Sequence, residues 1–178
     1  TKESEIVKDQ LLARIQKHEA TIAIIGLGYV GLPLATAFAE NGFNVIGIDV
    51  DTNKVDAINQ GESYVQDITS ARLAPLVNQE NTGHIFATTD YSTIVECDVA
   101  IVCVPTPLNK TRDPDIRFLI SAGKSIAANM SAGMLVVLES TTYPGTTEEL
   151  LLPMLAGAPT FDGEGEVGRD FFLAFSPE

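Results

Sequence analysis

The run Gly26-Leu27-Gly28-Tyr29-Val30-Gly31 constrains the fold of this chain more than any other feature, because of what flanks it. Thr21 to Ile25 before it is a short apolar strand, and Leu32 to Glu40 after it carries apolar residues at helical spacing. Glycines at the first, third and sixth positions of such a turn allow a tight bend, a close backbone approach and close helix–strand packing, in that order. Asn44 to Asp49 then reads as a second strand, which makes a βαβ unit of about thirty residues. Pro33 falls in the first helical turn, where a missing N–H costs no intrahelical bond, and Asn41-Gly42 supplies a stop. Leu34, Ala35, Phe38 and Ala39 are expected to form the stripe that faces the sheet.

The alternation continues downstream. Helices are expected near 52–60 and 69–79, a strand near 83–88, and a strand at Val99 to Val104. The last is apolar on both faces, as a strand in a covered parallel sheet must be. A helix near 116–130, a strand at Met134 to Leu138, a helix near 146–156 and a strand at Phe171 to Phe175 complete the series. Six strands with intervening helices predict a doubly wound parallel sheet in three α/β/α layers, the Rossmann fold, with strand order 3-2-1-4-5-6. Residues 4–18 have amphipathic spacing, so residues 1–20 read as an N-terminal helix packed on a body spanning 21–178. Ala156 to Asp170, with four glycines and several acids, reads as a surface loop.

At 178 residues the chain fits one domain with a sizeable core. Its 11 basic and 24 acidic residues leave a formal charge of −13, which disfavours binding to a nucleic-acid backbone and requires any anion to be held locally. Two cysteines and two well-separated histidines offer neither a disulfide framework nor a zinc site. No apolar run reaches the roughly 18 residues of a membrane span, so the expected compartment is the cytoplasm.

A local anion site is available where the glycine run meets the helix, whose N-terminus offers unpaired N–H groups and a positive dipole end. Asp49 ends the second strand eighteen residues after Gly31, placed to accept hydrogen bonds from an adenosine ribose. Its carboxylate would repel a 2′-phosphate, and Val50 and Asp51 provide no arginine to offset that, so NAD is favoured over NADP. Lys54 reads either as a flank of the adenosine end or as a solvated surface lysine. Beyond the later strands lie Val104-Pro105-Thr106-Pro107, Glu139-Ser140-Thr141-Thr142-Tyr143-Pro144-Gly145-Thr146-Thr147 and Ser176-Pro177-Glu178. Each alone reads equally as a loop or helix cap, but together they line one sheet edge beside the glycine run. Cys103 lies near that edge with no histidine near it in sequence and reads as an apolar core thiol, as does Cys97. Tyr143 reads as either a ligand contact or a turn-former.

With these motifs in this order, the chain resembles the N-terminal domain of the UDP-glucose/GDP-mannose dehydrogenase family of NAD-dependent nucleotide-sugar 6-dehydrogenases, over about Thr21 to Glu178. The wording of the second and third motifs is most similar to the branch acting on UDP-N-acetylglucosamine or related UDP-N-acetylhexosamines. The resemblance implies oxidation of a sugar C6 alcohol through an aldehyde to a carboxylate with two NAD, the second step through a cysteine thiohemiacetal and thioester. It implies Gly28, Tyr29 and Val30 at the pyrophosphate, framed by Gly26 and Gly31, and Asp49 and Lys54 at the adenosine end. Val104, Pro105, Thr106 and Ser140 are implied beside the cofactor, Thr141 as the residue positioning a catalytic water, and Glu178 as the glutamate supporting thioester hydrolysis. The family's connecting helix, second nucleotide-binding domain and catalytic cysteine motif have no counterpart in these residues, and neither Cys97 nor Cys103 inherits that cysteine's role. The expectation is a domain that binds NAD but does not turn over a UDP-sugar alone, from a longer protein that forms a homo-oligomer. The alternatives are a UDP-glucose or GDP-mannose 6-dehydrogenase domain, a non-catalytic NAD-sensing module, and an S-adenosylmethionine-binding methyltransferase, which the glycine spacing with Asp49 and the later motifs argue against.

Overall fold

All six expected strands form, as β1 Thr21–Ile25, β2 Asn44–Ile48, β3 His84–Thr88, β4 Val99–Val102, β5 Leu135–Leu138 and β6 Phe172–Phe175. The computed structural model describes residues 2–78, 83–107 and 115–176. Helices α1 Lys2–Gln16, α2 Gly31–Glu40, α3 Thr52–Asn59, α4 Ser70–Val77, α5 Arg117–Asn129 and α6 Leu152–Ala156 accompany them. The strands pair in parallel in the order β3-β2-β1-β4-β5-β6, as expected for a doubly wound sheet.

Burial explains why the central strands carry no polar alternation. In β1, Ile22 and Ile24 enter one core with α2, α3 and α4, while Ala23 and Ile25 enter the other with α5. All four residues of β4 are buried for the same reason. On the first face lies the N-terminal helix, with Leu11 in the core and Ile15 against it. Arg14 Nη1 sits 3.0 Å from Asp98 Oδ1, whose other oxygen accepts the Thr21 N–H at 2.8 Å, so one carboxylate joins α1 to the starts of β1 and β4. At the sheet edge, the Asn59 side chain pairs with both backbone groups of Ala87, at 2.8 and 2.9 Å, and satisfies part of the outer side of β3.

Several expectations are corrected. The buried stripe of α2 is Leu32, Ala35, Thr36 and Ala39, while Leu34 and Phe38 are only partly buried. The small residues Gly31, Ala35 and Ala39 share one helical face, and the backbone approaches its neighbours along it so closely that a Cβ on Gly83 would lie 1.9 Å from the Ala39 carbonyl oxygen. That approach turns Leu34 and Phe38 to the flank, where Phe38 meets Phe43 edge-on at 5.6 Å. Strand β4 stops at Val102, because after Cys103 donates to the Ile25 carbonyl at 2.7 Å the chain leaves the ladder. The helix expected over 146–156 is divided into a wide π-type turn, Thr147–Leu151, followed by α6. Pro153 lacks the N–H that an unbroken α-helix would direct to residue 149. The turn Tyr91–Glu96, a single short 3₁₀ element, is too brief to leave a periodic signature, although Asp90 caps it by accepting the Ser92 N–H at 2.8 Å.

Candidate cofactor site

Strand register determines where the site forms. Ile25 pairs with Ile48 and Val102, Val102 with Leu138, and Leu138 with Phe175, so these strands end flush. Gly26, Asp49, Cys103, Glu139 and Ser176 therefore begin their loops at one level. The chain reverses its winding between β1 and β4, and the loops after those strands part to leave a crevice there. It holds a cavity of about 450 Å³ lined by Gly26, Gly28, Tyr29, Val30, Asp49, Lys54, Tyr64, Val65, Cys103, Val104, Pro105, Thr106, Glu139, Ser140 and Thr141.

The glycines of the run have distinct duties. Gly26 has φ +94°, and a Cβ there would stand 2.6 Å from the Cys103 carbonyl oxygen, so the turn needs glycine for both conformation and space. Gly31 is buried under the helix start and does not line the cavity. A Cβ on Gly28 would meet no protein atom within 4 Å, so the open space beside it is room for something else. Gly28→Ala is accordingly expected to leave the thermal midpoint unchanged while weakening NAD about tenfold in a calorimetric titration. The first turn of α2 carries no acidic residue, which keeps this helix end receptive to an anion despite the charge of the chain.

Asp49 is 8 % exposed and works on the glycine run directly. Its Oδ2 accepts the Leu27 N–H at 2.8 Å and its Oδ1 accepts the Asp51 N–H at 2.9 Å. Oδ2 also faces the Lys54 ammonium, whereas Oδ1 keeps a second acceptor site, which leaves capacity for a ribose hydroxyl. Lys54 Nζ stands 3.5 Å from Oδ2 and lines the cavity wall. Across the crevice two loops are bound together reciprocally. Ser140 Oγ donates to the Val104 carbonyl at 2.7 Å, and Thr106 Oγ1 donates to the Thr141 carbonyl at 2.7 Å. This pair of bonds holds the wall formed by Val104, Pro105 and Thr106 against the loop after β5.

Most of the residues singled out in the sequence thus meet in one cavity. Glu178, with Pro177, lies outside the described residues. Tyr143 is exposed and does not line the cavity. Cys103, read as core, is only half-buried and forms part of the wall. Cys97 is buried away from it, and burial, with Asp98 and Glu96 adding, pushes its thiol up to about 12, where it stays protonated and inert. Tyr64, Val65 and Glu139 were missed. Glu139 opens one of the motifs quoted above but was given no role there, whereas Tyr64 and Val65 arrive from the loop between α3 and α4 with no local signal. Among the described residues there is no group of three or more His, Cys, Asp or Glu able to hold a metal, and no helix long and apolar enough to cross a membrane.

A crevice at a winding reversal, a helix N-terminus, a glycine with open space before it and a carboxylate just after the second strand together fit a dinucleotide. The sequence pattern of the UDP-glucose/GDP-mannose dehydrogenase family, NAD binding domain, matches residues 20–178. The chain belongs to this family. As its NAD binding domain, the chain takes NAD as the dinucleotide. Among family relatives it is 38 % identical over 160 residues to the UDP-N-acetyl-D-mannosamine dehydrogenase of Salmonella typhi, covering 89 % of this chain and 37 % of that protein. It is 37 % identical over 162 residues to the UDP-N-acetyl-D-glucosamine 6-dehydrogenase of the same organism, covering 90 % and 35 %. The crystal structure of a ternary complex of GDP-mannose dehydrogenase from Pseudomonas aeruginosa superposes with a TM-score of 0.79 at 31 % identity, over 88 % of this chain and 36 % of that one. The chain therefore spans little more than a third of the length of these dehydrogenases.

Proposed function

We propose that this domain serves a UDP-N-acetylhexosamine 6-dehydrogenase, which oxidises the sugar C6 alcohol through the aldehyde to the carboxylate. The observation that carries the cofactor half of this reading is the cavity at the β1/β4 crevice, with open space at Gly28 and the Asp49 carboxylate in its wall. The sugar half is supported by 37–38 % identity to dehydrogenases of two UDP-N-acetylhexosamines. Bound NAD supplies the hydride acceptor.

The chain's own residues supply binding and orientation. Gly26 and Gly31 shape the turn, while Gly28, Tyr29 and Val30 with the start of α2 receive the pyrophosphate. Asp49 accepts the adenosine ribose hydroxyls, with Lys54 beside it. Val104, Pro105, Thr106 and Ser140 form the wall along the cofactor, kept in place by the bonds between their loops. Thr141, exposed at the mouth of the cavity, positions a water, and Glu178 assists hydrolysis of the acyl intermediate. Sugar recognition and the cysteine step fall to parts of the longer protein beyond these residues, so the 178-residue chain binds NAD without oxidising sugar. The same reading has the full-length protein act in the cytoplasm as a homo-oligomer.

A second reading, oxidation of GDP-mannose, draws on the 31 % identity to GDP-mannose dehydrogenase. The deciding experiment has two arms. In calorimetry the 178-residue chain is expected to bind NAD about 100-fold more tightly than NADP, since Asp49 opposes a 2′-phosphate. The full-length protein is then supplied in parallel with UDP-N-acetylglucosamine, UDP-N-acetylmannosamine, UDP-glucose and GDP-mannose, and two NADH are expected per UDP-N-acetylhexosamine. Turnover of GDP-mannose alone would establish the second reading, and NAD binding with no turnover of any sugar would leave a sensing module.

A further inference from the structure

Tyr64, like Val65 beside it, is a wall residue that no sequence motif accounts for. It comes from the connection between α3 and α4, and its hydroxyl donates a short hydrogen bond to the Leu27 carbonyl, 37 residues away in sequence. The Leu27 N–H donates to Asp49 Oδ2 at 2.8 Å, so side chains from two different elements hold both backbone polar groups of this residue. The Leu27 side chain is fully buried, and a Cβ on Gly47 would lie 2.9 Å from its methyl carbons. Leu27 is thus fixed at three points, and the next residue is Gly28, the glycine facing open space.

The Leu27 carbonyl and the Gly28 N–H belong to one peptide unit. A hydrogen bond accepted by the carbonyl polarises that unit and makes its N–H a stronger donor. We propose that Tyr64 is a positioning residue for the dinucleotide, orienting and polarising the Leu27–Gly28 peptide so that the glycine run meets the pyrophosphate already in its binding geometry. This inference rests on the reading of the cavity as the NAD site. Burial, with Asp49 and then Asp51 adding, raises the Tyr64 hydroxyl far above its ordinary range, so it remains a donor at any pH the protein meets.

The test is Tyr64→Phe, which keeps the ring and removes only the donor, followed by calorimetry with NAD and with adenosine, thermal melting, and the amide proton resonance of Gly28. The expected result is NAD binding weakened about 3- to 10-fold, the net worth of one hydrogen bond. Adenosine affinity is expected to stay unchanged, the thermal midpoint to fall modestly because the buried Leu27 carbonyl loses its donor, and the Gly28 amide proton to move upfield as its peptide loses polarisation. NAD affinity and a Gly28 resonance equal to those of the unaltered chain would overturn the proposal. So would equal losses of NAD and adenosine affinity, since that pattern marks a merely structural hydroxyl. Failure of the unaltered chain to bind NAD would instead overturn the cofactor reading beneath it.

Discussion

Gly31→Ala is expected to abolish the cooperative thermal unfolding of this chain near ordinary temperatures, leaving a sample with reduced helical circular dichroism and no measurable NAD binding. A Cβ on Gly31 would stand 1.7 Å from the Gly26 carbonyl oxygen and 2.8 Å from its carbon. Both atoms are backbone of the tight turn, so neither can swing aside as a side-chain tip would. Relief requires α2 to withdraw from β1, and α2 contributes Leu32, Ala35 and Ala39 to the first core. Losing that contact costs about 4 kcal/mol or more, against a total stability of about 5–15 kcal/mol for a domain. A two-state melt within a few degrees of the unaltered chain would show that the turn yields more easily than this packing allows.

Asp49→Ala carries the second large effect, and it acts on both stability and binding. In the unaltered chain the carboxylate accepts the Leu27 and Asp51 N–H groups, and the Leu27 amide is buried. Removing the acceptor leaves that N–H unpaired, a cost of about 1–3 kcal/mol in a denaturant titration. The ribose acceptor goes as well, and charged hydrogen bonds of that kind are worth enough to weaken NAD about 100-fold. Discrimination against NADP falls with it, because no carboxylate remains to oppose a 2′-phosphate. Asp49→Asn largely separates the two effects, since its amide oxygen still accepts from the buried Leu27 N–H, only the part-buried Asp51 N–H loses its acceptor, and the charge is lost. It should melt close to the unaltered chain yet bind NAD poorly. Undiminished NAD affinity in Asp49→Ala would remove the ribose contact from the site.

The two substitutions mark two kinds of information in the chain. Gly31 and Asp49 were both legible because their signals are local: a glycine at a fixed step in a strand-to-helix turn, and an acid at the end of the next strand. Strand positions were legible because parallel strands covered on both faces read as unbroken apolar runs, as Val99–Val102 does. Helix orientation was less so. The stripe of α2 turned away from Leu34 and Phe38 because packing followed the small residues Gly31, Ala35 and Ala39, and close approach is decided by what lies opposite rather than by hydrophobicity along the helix.

By itself the sequence determined the strand order, the place of the glycine turn, the preference for NAD and the motifs that gather at one sheet edge, since each follows from local pattern and known handedness of connection. Only the tertiary structure decided that β1, β2, β4 and β5 end flush, that Ser140 and Thr106 join two loops, and that Cys103 lines the cavity while also packing against the first core. It alone brought Tyr64 to Leu27. These are contacts between segments far apart in the chain, and their geometry is set by register and by how closely helices approach the sheet, which no window of neighbouring residues encodes.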